Sequence, residues 1–348
     1  MSTLKELQER FGTCIDAEMR SILDSRESAP EFWAMMGYHL GYRDDRLNPV
    51  VGKGGKRFRP ALCLLACDSV SGEWRSALPM AAAIELLHNF SLIHDDIEDA
   101  DPMRHHRPTV WRLWGEPQAI NLGDGMFALA NLAAMKASSN PASALEESIA
   151  FQETALRLTE GQYMDMSFET RLDVTPAEYM EMIHRKTATL IGFSAWVGAA
   201  VGGATVTDRR HFRDYGVHLG LAFQMRDDYL GIWGDPAETG KEAAQDLRKR
   251  KKTLPVLLAM EQSSERQSRQ LVRFLDGRDD DLGAPLAALA DLGIPAQIRA
   301  AVERETRAAL DALDRLEFDG QRRDVFASLA RELTGQRLET SPASVSTA

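Results

Sequence analysis

Asp95, Asp96, Glu98, Asp99 and Asp101 place five carboxylates within seven residues, a density that mutual repulsion disfavours unless a cation or a donor offsets it. On a helix, Asp95 and Asp99 stand one turn apart on one face. Both can then reach one hard cation through oxygen, in the way Mg2+ is held by one or two carboxylates plus substrate phosphate. His88 and Ser91 share that face. A solvated acidic helix end explains an isolated DDxxD equally well. A second group lies in FQMRDDYLGIWGD, where Asp227 and Asp228 fall between Leu221, Phe223, Leu230 and Ile232, and Asp235 follows. If that helix packs in a core, paired carboxylates need a cation or donors; the plain alternative is an exposed polar stripe.

Cations accompany both groups. Lys53, Lys56, Arg57 and Arg59 sit among the glycines of VGKGGKRFRP, where backbone and side-chain donors can approach a phosphate together. Arg104 and Arg107, with His105 and His106 between them, follow the first acidic group. Lys186 and Thr187 open an uncharged stretch, and Lys241 and the run Arg248–Lys252 follow the second group. Alone, RKRKK could be a nucleic-acid patch, but a chain with 41 basic and 52 acidic residues carries a net charge of −11 and repels nucleic acid as a whole. Two carboxylate groups, each followed by cations suited to phosphate, point to Mg2+-diphosphate chemistry.

The elements that must position these residues are helical. Leu4, Leu7, Phe11, Ile15, Met19 and Ile22 follow three-to-four spacing, and residues 81–99, 117–138, 142–160, 176–205 and 209–233 lack internal proline over lengths far beyond a normal strand. The fold is predicted to be all-α. The breaks between helices are short and none resembles a domain linker, so residues 1–336 are expected to form one domain and the small polar residues 337–348 a tail without fixed structure. Composition, with 44% of residues from the AVILMFWYC set and 27% charged, excludes a disordered or collagen-like chain. Three cysteines cannot all pair, and Cys63 and Cys67 lie in an apolar run, which fits a reducing, cytoplasmic compartment. The N-terminal stretch has no apolar leader pattern. Residues 187–207 contain no charge over 21 positions, but Gly192, Gly198, Gly202 and Gly203 make the segment small rather than greasy. A buried helix with a GxxxG close approach is expected there, not a membrane span.

The motifs GGKRFRP, HNFSLIHDDIED, GQYMD, HRKTAT, FQMRDDYLGIWGDP, TGK and KKT occur in that order, and the set resembles the trans-prenyl diphosphate synthases of the polyprenyl synthetase family over nearly the whole chain. The resemblance implies a single-domain bundle of long antiparallel helices around a central cavity, the isoprenoid-synthase type. It also implies a homodimer and Mg2+-dependent condensation of isopentenyl diphosphate with an allylic diphosphate, with three ions per active site. By similarity, Asp95, Asp99 and Asp227 bind Mg2+, with Asp96 and Asp228 beside them and Lys186 in the catalytic set. Arg104, Lys186, Thr187, Gln224, Lys241 and Lys251 hold the allylic diphosphate, and Lys56, Arg59 and His88 hold isopentenyl diphosphate. The released diphosphate takes the final proton, so no dedicated protein base is expected. Two departures stand out: Gly231 replaces the last carboxylate of the second motif, with Asp235 nearby, and His105 replaces the second of two adjacent arginines, with Arg107 as a candidate substitute. In the family a bulky residue near the first motif limits product length. Phe90 and Ser91 in front of an uninserted DDIED match the geranylgeranyl (C20) pattern, with farnesyl (C15) next. A class I terpene cyclase and a non-catalytic partner subunit are the competing readings; the first needs no Lys56, Arg59, His88 set, and the second would be expected to lack the aspartates.

Overall fold

A computed structural model describes residues 2–50, 55–137, 140–235, 244–317 and 320–335. Long helices dominate, as the spacing predicts: α1 Thr3–Asp24, α2 Pro30–His39, α3 Phe58–Ser71, α4 Leu78–Glu98, α5 Val110–Trp114, α6 Glu116–Met135, α7 Pro141–Thr170, α8 Pro176–Ile183, α9 Thr189–Val201 and α10 Val206–Trp233. Further helices follow, from Gln245–Arg248 to Gly320–Thr334, among them the 20-residue Ile294–Leu313. Among the described residues, the only paired strands are β1 Met103–Arg104 and β2 Arg107–Pro108, which form one antiparallel hairpin. The expected helix over 176–205 is divided by a π-helical turn at His184–Ala188, a distortion that is frequent at functional sites. The predicted tail, residues 337–348, lies outside the described residues.

Contacts group the chain into two compact units: Met1–Thr159 with Thr189–Gly216, and Glu160–Ala188 with Val217–Ala348. In the first unit, α1 buries Leu7, Phe11, Ile15, Met19 and Leu23 as one face. Its helix α9 is buried along almost its full length and packs on α3. A Cβ at Gly198 would stand 2.0 Å from the carbonyl oxygen of Cys63, so glycine is what permits this close approach. The middle of the uncharged stretch, α9, is thus a core helix, while its end turns out at Gly202–Gly203 and exposes Val206. Among the described residues one helix, Arg75–Glu98, is long and apolar enough to cross a membrane; 61% of its most apolar window is buried within the protein. The second unit is built on a separate apolar core, in which Tyr179, Met182, Ile183, Met225 and Leu254 join Leu257, Leu271, Phe274 and Ile298.

Candidate active site

In the first unit the carboxylates occupy the last turn of α4. Asp95 and Asp99 are half-buried, Glu98 is exposed, and Asp96 is only 2% exposed. The Asp99 N–H donates to the Asp95 carbonyl at 2.9 Å, closing the helix. Asp96 accepts a hydrogen bond from Arg104 Nε at 2.7 Å, and Arg104 Nη2 stands 3.6 Å from Asp95 Oδ2. Burial pushes the Asp96 carboxyl up to about 6, against the downward pull of Arg104. The β1–β2 hairpin returns Arg104 to these carboxylates. His105 and His106 form its tip with φ of +50° and +61°, left-handed at both central positions as a tight two-residue hairpin requires. Thr109 Oγ1 and Trp111 Nε1 both donate to the Asp101 carbonyl and hold the segment in place.

Arg107 is not the substitute for a second arginine that the sequence suggested. Its guanidinium donates to the carbonyls of Tyr38 (3.1 Å) and Arg43 (2.7 Å) and lies over the Tyr38 ring. Its fork is occupied by a structural task. His105 stays in the electropositive patch, where burial and then Arg104, His106, Lys56 and Arg57 lower its proton affinity. Lys56 is exposed. Arg59 Nη1 lies 3.2 Å from His88 Nε2. Arginine can only donate, so Nε2 accepts and the imidazole is neutral; burial, reinforced by Arg59 and Arg104, holds the His88 pKa well below its usual value. Ser91 Oγ donates back to the His88 carbonyl. Phe90 packs edge-on to His94 and against Phe127 of α6, with ring centroids 5.1 Å apart in both pairs.

In the second unit, Asp228 is also 2% exposed. Its carboxylate accepts from Tyr179 Oη (2.7 Å), Gln224 Nε2 (3.1 Å) and the Leu254 N–H (3.4 Å). Burial outweighs these donors and pushes its pKa up to about 7, with Asp227 and Asp246 adding to the rise. Thr187 Oγ1 donates to Gln224 Oε1 at 3.0 Å, so Thr187, Gln224, Asp228 and Tyr179 form one chain of hydrogen bonds. The π-helical turn presents Lys186, whose Nζ meets Asp165 Oδ2 at 2.5 Å. Asp227 is half-buried on α10. Lys251 is exposed, and its N–H donates to the Asp246 carbonyl. Two other members of the basic run have structural roles: Lys252 donates to the carbonyls of Phe168 and Glu169 at the end of α7, and Arg250 to the Phe274 carbonyl. Lys241 lies outside the described residues.

These arrangements are what a diphosphate and a hard cation require: partly exposed carboxylate oxygens beside fixed cations. Among the described residues no three His, Cys, Asp or Glu side chains gather as a metal-holding group, so a fit to Mg2+ is that of one or two carboxylates completed by substrate phosphate. The sequence profile described as polyprenyl synthetase matches residues 44–290. The chain belongs to the polyprenyl synthetase family.

Among other members of the polyprenyl synthetase family, the short chain isoprenyl diphosphate synthase of Methanothermobacter thermautotrophicus is 39% identical over 332 residues, 95% of this chain and 98% of that protein. The (2E,6E)-farnesyl diphosphate synthase of Mycobacterium tuberculosis is 46% identical over 227 residues; the match spans 65% of this chain and 63% of the mycobacterial protein. The crystal structure of geranylgeranyl pyrophosphate synthetase from Pyrococcus horikoshii superposes with a TM-score of 0.85 at 32% identity, covering 96% of this chain and 98% of that one. The all-α fold is that of these isoprenoid synthases.

Several partners in the site were not assigned from sequence. Asp165, the partner of Lys186, ends the GQYMD motif, so its signal was present without a role attached. Tyr179 has no motif of its own, and its pairing with Asp228 crosses 49 positions. At Gly231 a Cβ would stand 1.8 Å from Asp246 Oδ2. The position that lacks a carboxylate therefore admits the carboxylate of Asp246, whereas Asp235 is exposed.

Proposed function

We propose that this protein is a Mg2+-dependent prenyltransferase that condenses isopentenyl diphosphate with an allylic diphosphate to a short (E)-prenyl diphosphate, with geranylgeranyl diphosphate as its product. The observation that carries the reading is the segregation of charge. Asp95 and Asp96, with Arg104, and Asp165, with Lys186, combine carboxylate with cation as a metal-bound leaving diphosphate needs. Lys56, Arg59 and neutral His88 offer donors without a carboxylate, as suits a second diphosphate that must remain attached to its carbon. A terpene cyclase has no use for this second set.

Asp95, Asp99 and Asp227 would hold Mg2+, which when bound supplies Lewis-acid neutralisation of the leaving diphosphate. Arg104, Lys186, Lys241 and Lys251 orient that diphosphate and stabilise the charge it gains as the C–O bond breaks. Thr187 and Gln224 fix the Asp228 carboxylate beside Asp227. Lys56, Arg59 and His88 place the isopentenyl alkene so that its π electrons attack the allylic carbon; the proton then lost from the adjacent carbon passes to the departed diphosphate. Proximity and exclusion of water supply the remaining acceleration.

The product assignment rests on Phe90, stacked with Phe127 one turn before the carboxylates. Phe90→Ala should lengthen the product by at least one five-carbon unit on chromatography, and an unaltered product would remove Phe90 from that role. We also propose a homodimer, supported by Leu145, Ile149 and Leu156, which are more than half exposed on α7. Ile149 and Leu156 are one heptad apart, a spacing that can pack against its own copy about a twofold axis. Incubating the purified protein with Mg2+, labelled isopentenyl diphosphate and each allylic primer tests the main proposal. Elongation to a C20 diphosphate is expected; a cyclised hydrocarbon or no product would overturn it.

A further inference from the structure

Arg57 stands between Lys56 and Arg59 in the basic segment, yet it faces inward. It is 5% exposed and caps the start of α3 with a φ of +48°, a left-handed conformation that strains a non-glycine residue. Four hydrogen bonds hold it there. Nε donates to Asp16 Oδ1 (3.1 Å), Nη1 to Glu85 Oε1 (2.7 Å), and Nη2 to the Leu40 carbonyl (3.3 Å) and to Tyr42 Oη (3.5 Å). These acceptors come from α1, the segment after α2, and α4. Tyr42 Oη in turn donates to Asp16 Oδ1 at 2.9 Å. Glu85, itself 5% exposed, also receives Asn89 Nδ2 at 3.1 Å.

The geometry points to Arg57 and Glu85 as the positioning pair of the isopentenyl diphosphate site, and this rests on the assignment of Lys56, Arg59 and His88 to that substrate. Glu85 lies one turn before His88 on α4, and Arg57 lies one residue after Lys56 and two before Arg59. The buried pair therefore fixes the basic segment against the helix that carries His88. Within that frame Arg59 Nη1 meets His88 at 3.2 Å, while Arg59 Nε is buried without a hydrogen-bond partner. Lysine in place of Arg57 keeps the charge but has no planar fork, so it cannot serve acceptors on three elements at once. The left-handed turn then loses what over-determines it, and Lys56 and Arg59 lose their common orientation. Arg57 itself does not touch the substrate.

The test is calorimetric binding of isopentenyl diphosphate, together with steady-state kinetics, on Arg57→Lys and Glu85→Gln, with circular dichroism to verify folding. Arg57→Lys should weaken isopentenyl diphosphate binding and raise its KM about tenfold. The KM for the allylic diphosphate should stay within about twofold, and Glu85→Gln should show the same selectivity with a smaller effect, about threefold. The double variant Arg57→Met/Glu85→Leu removes both charges together and so avoids stranding one in the core; it should fold and retain the selective loss. Unchanged isopentenyl diphosphate affinity in any folded variant, or equal loss for both substrates, would overturn the positioning role. Wild-type protein that binds no isopentenyl diphosphate would instead overturn the substrate assignment beneath it.

Discussion

The two aspartate pairs are alike in sequence and different in their surroundings. In each, the second member is buried to the same extent, Asp96 and Asp228 both being 2% exposed, and the first member, Asp95 or Asp227, is half-buried. Each DD dipeptide thus divides into a more accessible carboxylate, which we propose meets the cation, and an inward one that anchors the turn. The anchors differ in their donors. Asp96 is held by a cation, Arg104, whereas Asp228 is held by the neutral Tyr179, Gln224 and Leu254 N–H. Burial pushes both carboxyls up, Asp228 to about 7 and Asp96 to about 6, opposed at Asp228 by Tyr179 and Gln224 and at Asp96 by Arg104.

The division between ligand and anchor has its largest expected consequence in catalysis. Asp95→Ala or Asp227→Ala should lower kcat about a hundredfold or more. Asp96→Asn and Asp228→Asn keep shape and most hydrogen bonds and should cost roughly tenfold, about 1.4 kcal/mol. Equal losses at all four positions, measured by initial rates at saturating Mg2+, would remove the distinction.

A second contrast concerns titration. The cations of the second unit's site are lysines, while the first unit includes His105, whose proton affinity its neighbours lower. His105 is neutral at pH 7 and gains a proton only as pH falls below its usual range. The KM for isopentenyl diphosphate should therefore stay nearly flat from pH 8 to about 6.5 and fall only as pH is lowered further. His105→Arg should lower KM at pH 8 by about threefold to tenfold and flatten that dependence; an unchanged or raised KM would sink the idea.

The smallest effect is on stability. A carboxyl whose folded pKa is raised contributes stability that is fully present below its unfolded value and lost as pH rises through the folded one. Wild-type stability in chelator should thus fall between about pH 4 and 7 at Asp228 and by about pH 6 at Asp96. Asp228→Asn should remove a larger part of this slope than Asp96→Asn, with a gain on the order of 1–3 kcal/mol at pH 8. Denaturant melts across that range would show it.

What the sequence reveals is what lies along one element. Helix lengths, the GxxxG contact at Gly198, and the shared face of Asp95, Asp99 and His88 all follow from three-to-four spacing. The anchors were hidden because their partners are distant in the chain: Arg57 and Glu85 are 28 positions apart and Lys186 and Asp165 are 21. Arg57 and Arg107 resembled phosphate ligands for the same reason. Residue type and neighbourhood were right, but direction is set by acceptors, at Asp16, Glu85, Tyr38 and Arg43, that no local pattern announces. Gly231 reads as a missing carboxylate until Asp246 is seen against it.

We propose that the carboxylates of Asp95, Asp99 and Asp227 are neutralised by Mg2+ when a diphosphate binds. Calorimetric titration of dimethylallyl diphosphate into the protein, with Mg2+ and with chelator, tests it most directly. Binding should be steeply Mg2+-dependent in the wild type, and the Mg2+-dependent gain should be largely lost in Asp95→Ala and Asp227→Ala. Equal affinity with Mg2+ and with chelator would show that Mg2+ plays no part in diphosphate binding.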